Sequence, residues 1–91
     1  MQRIEVEVNG VVQGVFYRVF VKEVAVKLGL VGTVRNTSRG SVKVVAEGNK
    51  DILLKFIAKC QDGPMAAQVE TLKVSWKKAQ ENMTEFKVVY K

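Results

Sequence analysis

Residues 3–8 alternate between polar and apolar positions, with Ile4, Val6 and Val8 on one side of the chain. A period of two predicts a half-buried β-strand. The pattern then changes. Between Tyr17 and Leu28 the apolar positions Phe20, Val21, Val24, Ala25 and Leu28 follow helical spacing, and Gly29 supplies a stop. Several of these side chains are β-branched, so the spacing, not propensity, decides for a helix. "LVGTVRN" and "SVKVVAEG" read as two strands around Thr37-Ser38-Arg39-Gly40, a short connection closing on glycine and hence a β-hairpin. Asn49 is a candidate cap for a second helix, whose apolar positions Leu53, Phe56, Ile57 and Cys60 fall at i, i+3, i+4 and i+7. Gly63-Pro64 ends it. Leu72, Val74 and Trp76 alternate as a fourth strand, with Val69 out of phase, which predicts a bulge or a loop ahead of that strand. Phe86, Val88 and Tyr90 predict a last strand.

The order strand, helix, strand, strand, helix, strand, with one short extra C-terminal strand, predicts an α+β fold. Two β-α-β units in series give a ferredoxin-like βαββαβ sandwich, an antiparallel sheet with two helices on one face. The length, 91 residues, argues for one domain over 1–91. Many functions share this architecture, so function has to come from a site.

Charge and composition narrow the field. The net charge is +6, carried by 15 Lys and Arg residues spread along the chain, which favours small anions over a concentrated polybasic contact. Lys77-Lys78, the longest basic run, reads as a solvated turn. The single cysteine, Cys60, excludes an internal disulfide and sits on the apolar stripe of the second helix. Trp76, Phe56 and Phe86 fit core positions. Charge begins at once after Met1 and no apolar stretch approaches the ~20 residues that span a bilayer, so the expectation is a cytoplasmic protein with no membrane partner. Histidine is absent, which removes Ser-His-Asp and Cys-His nucleophiles and the commonest metal ligand. The nine carboxylates form no cluster of metal-ligand spacing, so neither a metal nor a cofactor is expected.

One stretch remains, "NGVVQGVFYR", Asn9 to Arg18, where the first strand breaks into glycines and restarts as a helix. A chain leaving a strand for a helix has unpaired backbone N–H groups, glycines let them converge, and the helix end adds positive potential. That is an anion nest, to which Arg18 can add a planar fork for two phosphate oxygens. It is not a nucleotide loop, because G-x-x-x-x-G-K-[ST] is missing. Nor is it the Cys-x₅-Arg loop of cysteine phosphatases, since position 12 is Val12. Spacing alone leaves open a plain strand-to-helix turn with a surface arginine.

"GVVQGVFYR" resembles the acylphosphatase signature, glycine-x-Val-Gln-Gly-Val-x-aromatic-Arg. "GTVRNTSRGSVKVVAEG" resembles the second motif of that family, in which asparagine ends a strand, glycine turns the hairpin and the next strand ends in glycine. The motifs cover Gly10–Arg18 and Gly32–Gly48, and the remaining elements fit in length and order. Thr33 stands where an aromatic is usual and Tyr17 replaces the usual phenylalanine. Both read as packing variations near the site that remove no reacting group.

The resemblance implies hydrolysis of small acyl phosphates to a carboxylate and inorganic phosphate, without cofactor or metal. It implies Arg18 as the catalytic phosphate ligand, and Asn36 as the residue that orients the attacking water. The substrate cradle would be Gln13, Gly14, Val15, Phe16, Tyr17 and Arg18, chiefly through the backbone, with the Gln13 side chain read as bracing the loop. Thr37 would steady Asn36 or simply serve the hairpin. The chain's ending after one domain favours an independent monomeric enzyme over a relative of the acylphosphatase-like domain of hydrogenase-maturation carbamoyltransferases. Two alternatives share the fold: a non-catalytic phosphate- or anion-binding domain, and an RNA-binding module. The second is disfavoured because such modules stack bases on aromatics of the central strands, and "SVKVVAEG" has none; no nucleic-acid partner is expected.

Overall fold

The alternation at the start of the chain becomes the middle of a sheet. In the computed structural model, which describes residues 1–90, it lies within β1 (Gln2–Val11), a strand paired along both edges. There follow α1 (Tyr17–Lys27), β2 (Val31–Asn36), β3 (Val42–Gly48), α2 (Lys50–Asp62), β4 (Gln68–Lys78) and β5 (Phe86–Val89). The strands form one sheet in the order β4-β1-β3-β2-β5. β1 pairs antiparallel with β3 and β4, and β2 with β3, as expected. β5 runs parallel to β2, so the sheet is mixed.

The parallel edge follows from the path of the chain. β4 ends beside the beginning of β1, and β5 begins beside Gly32, near the start of β2, so the link 79–85 crosses one end of the sheet. Glu47, near the end of β3, holds that link. Its side chain is fully buried and accepts hydrogen bonds from the backbone N–H groups of Gln80 (2.9 Å) and Glu81 (3.0 Å) and from Arg3 Nη1 (3.0 Å). The Gln80 N–H foremost, with the Arg3 guanidinium and the Glu81 N–H, keeps this carboxyl below the ordinary carboxylate range despite desolvation. A depressed folded-state pKa contributes stability that is full above the unfolded value and lost as pH falls through the folded one. Glu47→Gln is therefore expected to cost roughly 1–3 kcal/mol at pH 7. Urea melts should show the gap between native and variant closing as pH falls below about 4; an equal gap at pH 7 and pH 3 would refute the ionic role.

The core lies between the helices and one face of the sheet. Ile4, Val6 and Val8 of β1, Val34 of β2 and Val42, Val44 and Ala46 of β3 meet Tyr17, Val21 and Ala25 of α1 and Leu53, Phe56 and Cys60 of α2. Phe86 docks β5 against α2 through an edge-on contact with Phe56, ring centroids 6.1 Å apart. Burying each such aliphatic or aromatic side chain contributes roughly 1.5–3 kcal/mol. Exposed ion pairs such as Lys77–Glu5 and Lys87–Glu85 contribute at most about 1 kcal/mol, so apolar burial selects the arrangement.

Val69 lies at the expected irregularity: the register of β4 against β1 slips between Asn9 and Gly10, leaving Glu70 unpaired. Gly10 is required there, because a Cβ at this position would come within 2.1 Å of the Gln68 carbonyl oxygen. Three expectations need correction. Trp76 pairs with Ile4 and so shares the core face, but β4 is an edge strand and the indole is 42% exposed. Lys77 and Lys78 end β4 and are not a turn. Asn49 occupies the N-cap position of α2, but its side chain makes no capping hydrogen bond. The face of the sheet away from the helices carries charged and small residues, among them Glu5, Glu7, Arg35, Lys43, Lys73 and Ser75.

Candidate active site

β1 runs out at Val11, and the loop to α1 turns by alternating backbone hand. Gly14 has φ 74° and Phe16 φ 63°, while Val15 between them has negative φ and Tyr17 is helical. Successive residues of opposite hand turn their N–H groups toward one side, the geometry of an anion nest. A left-handed conformation is cheap for Gly14 but costs on the order of 1–3 kcal/mol for a bulky residue. Phe16 bears that strain with its ring 78% exposed. It also occupies the N-cap position of α1, where it offers no side-chain acceptor, and the first turn contains no acidic residue. The first N–H groups of α1 therefore have no internal anion or cap to satisfy them, and the positive end of the helix is uncompensated.

The loop is tied to the β2–β3 hairpin by Gln13, whose Nε2 donates to the carbonyls of Thr37 (2.9 Å) and Ser41 (2.8 Å). This is the bracing role expected of Gln13. A chain of hydroxyls continues it. Ser41 Oγ donates to Glu7 Oε2 (2.8 Å), so the Thr37 hydroxyl must donate to Ser41 Oγ (2.7 Å), and Thr37 Oγ1 is left to accept from the Arg39 N–H. The Ser41 bond first, with the charges of Arg39, Lys43 and Lys73, holds the Glu7 carboxyl below its ordinary value. Thr37 thus serves the hairpin rather than Asn36.

Tyr17 turns away from the loop. Its ring is buried in the core and its hydroxyl donates to the Cys60 carbonyl at 2.7 Å, fixing the start of α1 to the end of α2. Burial raises the phenol well above its ordinary pKa and pushes the Cys60 thiol up to about 12, so neither side chain is a reacting group at neutral pH. Only the backbone of Tyr17 can serve the nest. Thr33 lies on the other face of the sheet from buried Val34, paired with Val45 and Lys87, and does not line the loop pocket.

Arg18 follows on the first turn of α1 and leaves the core. Its Nη1 donates to the Val89 carbonyl at 3.3 Å, and its guanidinium carbon lies 4.8 Å from the centre of the Tyr90 ring. A pocket of about 240 Å³ joins it to Gly14, Phe16, Val19 and Tyr90. Asn36, the last residue of β2, pairs with Val42, which in turn pairs with Val8 of β1. Val89 is the parallel partner of Arg35. The loop, Arg18 and Asn36 are therefore gathered at one end of the sheet, the end where β1, β2 and β5 all finish. Asn36 Oδ1 is buried without a hydrogen-bond partner, the one such side-chain atom among the described residues. Val89 and Tyr90 were not foreseen as site residues; Tyr90 reads in sequence only as a strand position.

An uncapped, strained loop shares a pocket with Arg18 at the end of an α+β sandwich where Asn36 also stands, outside that pocket's lining, and comparison with known proteins identifies the family. The acylphosphatase family model matches residues 4–88, and this chain belongs to that family. It is 41% identical over 91 residues to the acylphosphatase of Dehalococcoides mccartyi, covering 99% of this chain and 100% of that one. It is 40% identical over 90 residues to that of Pyrobaculum aerophilum, covering 98% and 95%. The crystal structure of acylphosphatase from Bacillus subtilis superposes with a TM-score of 0.96 at 33% identity, covering 99% of this chain and 100% of that one. A crystal structure of full-length HypF in its phosphate- and nucleotide-bound form matches with a TM-score of 0.89 at 29% identity, over 97% of this chain but only 12% of that protein.

Proposed function

We propose that this acylphosphatase hydrolyses small acyl phosphates by direct attack of water on a phosphoryl group held by Arg18 and the N–H groups of residues 13–18. The observation that carries the water-attack step is the buried, unpartnered Asn36 Oδ1 at the loop end of the sheet. A carboxamide oxygen accepts hydrogen bonds, and a buried one without a partner costs on the order of 1–3 kcal/mol. A water admitted beside it when substrate binds relieves that cost and is held for in-line attack. The new P–O bond forms to this water while the bond to the acyl oxygen breaks. The electron pair leaves on a carboxylate, whose conjugate acid has a pKa of about 4, so departure needs no general acid. The transition state is loose and asks for little nucleophilic push, so a neutral water suffices. Arg18 and the nest supply fixed positive potential where the phosphoryl charge gathers. The water's proton passes to a phosphate oxygen of the substrate. The chain's own residues thus meet each demand without histidine.

On the same reading the protein acts as a monomer in the cytoplasm on a small molecule. No helix is long and apolar enough to cross a membrane. The strand positions facing away from the helices, such as Glu5, Arg35, Lys43, Val45 and Ser75, include no aromatic among the described residues, which argues against base stacking on that face.

The test is phosphate release from acetyl phosphate beside glycerol phosphate, an ordinary alkyl monoester. Turnover is expected with the first alone, because no acid is positioned to protonate an alkoxide. Equal rates on both would sink the mechanism. Inorganic phosphate binding without turnover of either would make the protein a binding domain.

A further inference from the structure

The pocket at the loop does not end there. Val19, Val88 and Tyr90, which line it, also line a second and larger depression of about 810 Å³ running along α1. Its helix wall is the stripe Val19, Lys22, Val26, positions i, i+3 and i+7, which share one face. Its other wall is Lys87 and Val88 of β5, at the edge of the sheet, with Tyr90 just beyond that strand. Val19 is 47%, Val26 57% and Tyr90 80% exposed, so the groove has an apolar floor open to solvent. Its rim is basic: Lys22, Lys27 and Lys87 against a single carboxylate, Glu23. Among the described residues Lys22 and Lys27 have no ion-pair partner, and Lys87 has only an exposed pair with Glu85 at 3.5 Å, which is weak. Lys22 lies four residues after Arg18, about 6 Å farther along the helix axis.

We propose that this groove is the acyl subsite, and that it selects acyl phosphates whose carbon skeleton carries a second anion at the far end, read by Lys22 and Lys87. The inference rests on the phosphoryl group lying in the Arg18 loop. From there Val19, Val88 and Tyr90 lead the acyl group into the groove, since they border both spaces. An apolar segment then covers the floor, and a distal carboxylate meets the basic rim at Lys22, about one helical turn beyond Arg18. The distal contact is made equally in the bound substrate and the transition state, so its effect belongs in KM rather than kcat.

The experiment compares 4-carboxybenzoyl phosphate with 4-methylbenzoyl phosphate, of similar shape without the distal charge. The native protein is expected to favour the carboxylated substrate, through KM. The Lys22→Gln/Lys87→Gln double variant should lower that preference about fivefold, the size expected of two partly exposed charge contacts. Raising salt should lower it in the native protein. Lys59→Gln, on α2 and outside the lining of this groove, should leave the preference unchanged. A native preference for the methyl compound, or a preference the double variant retains, overturns the subsite while leaving the hydrolytic site standing. Failure of the native protein to hydrolyse either compound overturns the hydrolytic site and the subsite with it.

Discussion

Replacing Arg18 by alanine is expected to leave a folded protein whose kcat/KM for acetyl phosphate is lower by roughly 10³–10⁵, the range that one arginine contributes at a transferring phosphoryl group. The side chain touches little that the fold needs. Its contacts are the Val89 carbonyl, at a long 3.3 Å, and the Tyr90 ring, both at the edge of the molecule. It contributes nothing to the core cluster. A cation in the first turn also stands at the wrong end of the helix dipole, and alanine is the better helix former. Thermal stability should therefore change little, and the loss should be confined to chemistry and binding. Arg18→Lys separates charge from shape. It retains a positive charge but loses the planar fork and the stacking on Tyr90, so an intermediate rate is expected. Substantial acetyl phosphate hydrolysis by Arg18→Ala would remove Arg18 from the mechanism.

Most of the fold was legible because the two periods were clean. Ile4, Val6 and Val8 alternate, Leu53, Phe56 and Cys60 follow the helical interval, and all six are buried. What periodicity reports is the face a residue shares, not its neighbour or the direction of the strand. The parallel pairing of β5 with β2 therefore escaped it, since that pairing is set by a link crossing the sheet and held by Glu47. The same limit explains Trp76, which lies on the correct face of a strand with no neighbour beyond it. The site divides in the same way. The strand-to-helix loop could be read locally, because strand, glycines and helix start are adjacent in sequence. The Gln13 brace to Thr37 and Ser41 and the contact of Arg18 with Val89 span 24, 28 and 71 residues, and no local pattern announces them. Asn36 is intermediate. As a strand end it is ordinary, and only its place in the second motif singled it out; its unpartnered oxygen is a property of the folded chain.

That oxygen makes the Asn36→Ala outcome sharper than a loss of activity. A buried acceptor without an internal partner adds no stability through its hydrogen bond, so truncation should leave the melting temperature unchanged or slightly higher. The nest and Arg18 remain, so inorganic phosphate should bind with near-native affinity by calorimetry. Turnover of acetyl phosphate should nevertheless fall by roughly 10²–10³, the usual cost of deleting one preorganised polar group, because the attacking water is no longer aimed. The drop should lie in kcat with KM little changed, since the contact is made to the nucleophile and not to the bound ester. Asn36→Asp provides a second reading. Its carboxylate can still accept from a water but adds negative charge beside a phosphoryl dianion, so it should weaken phosphate binding where alanine does not. If alanine instead abolishes phosphate binding while the fold persists, Asn36 is a phosphate ligand, and the water must be oriented by the loop itself.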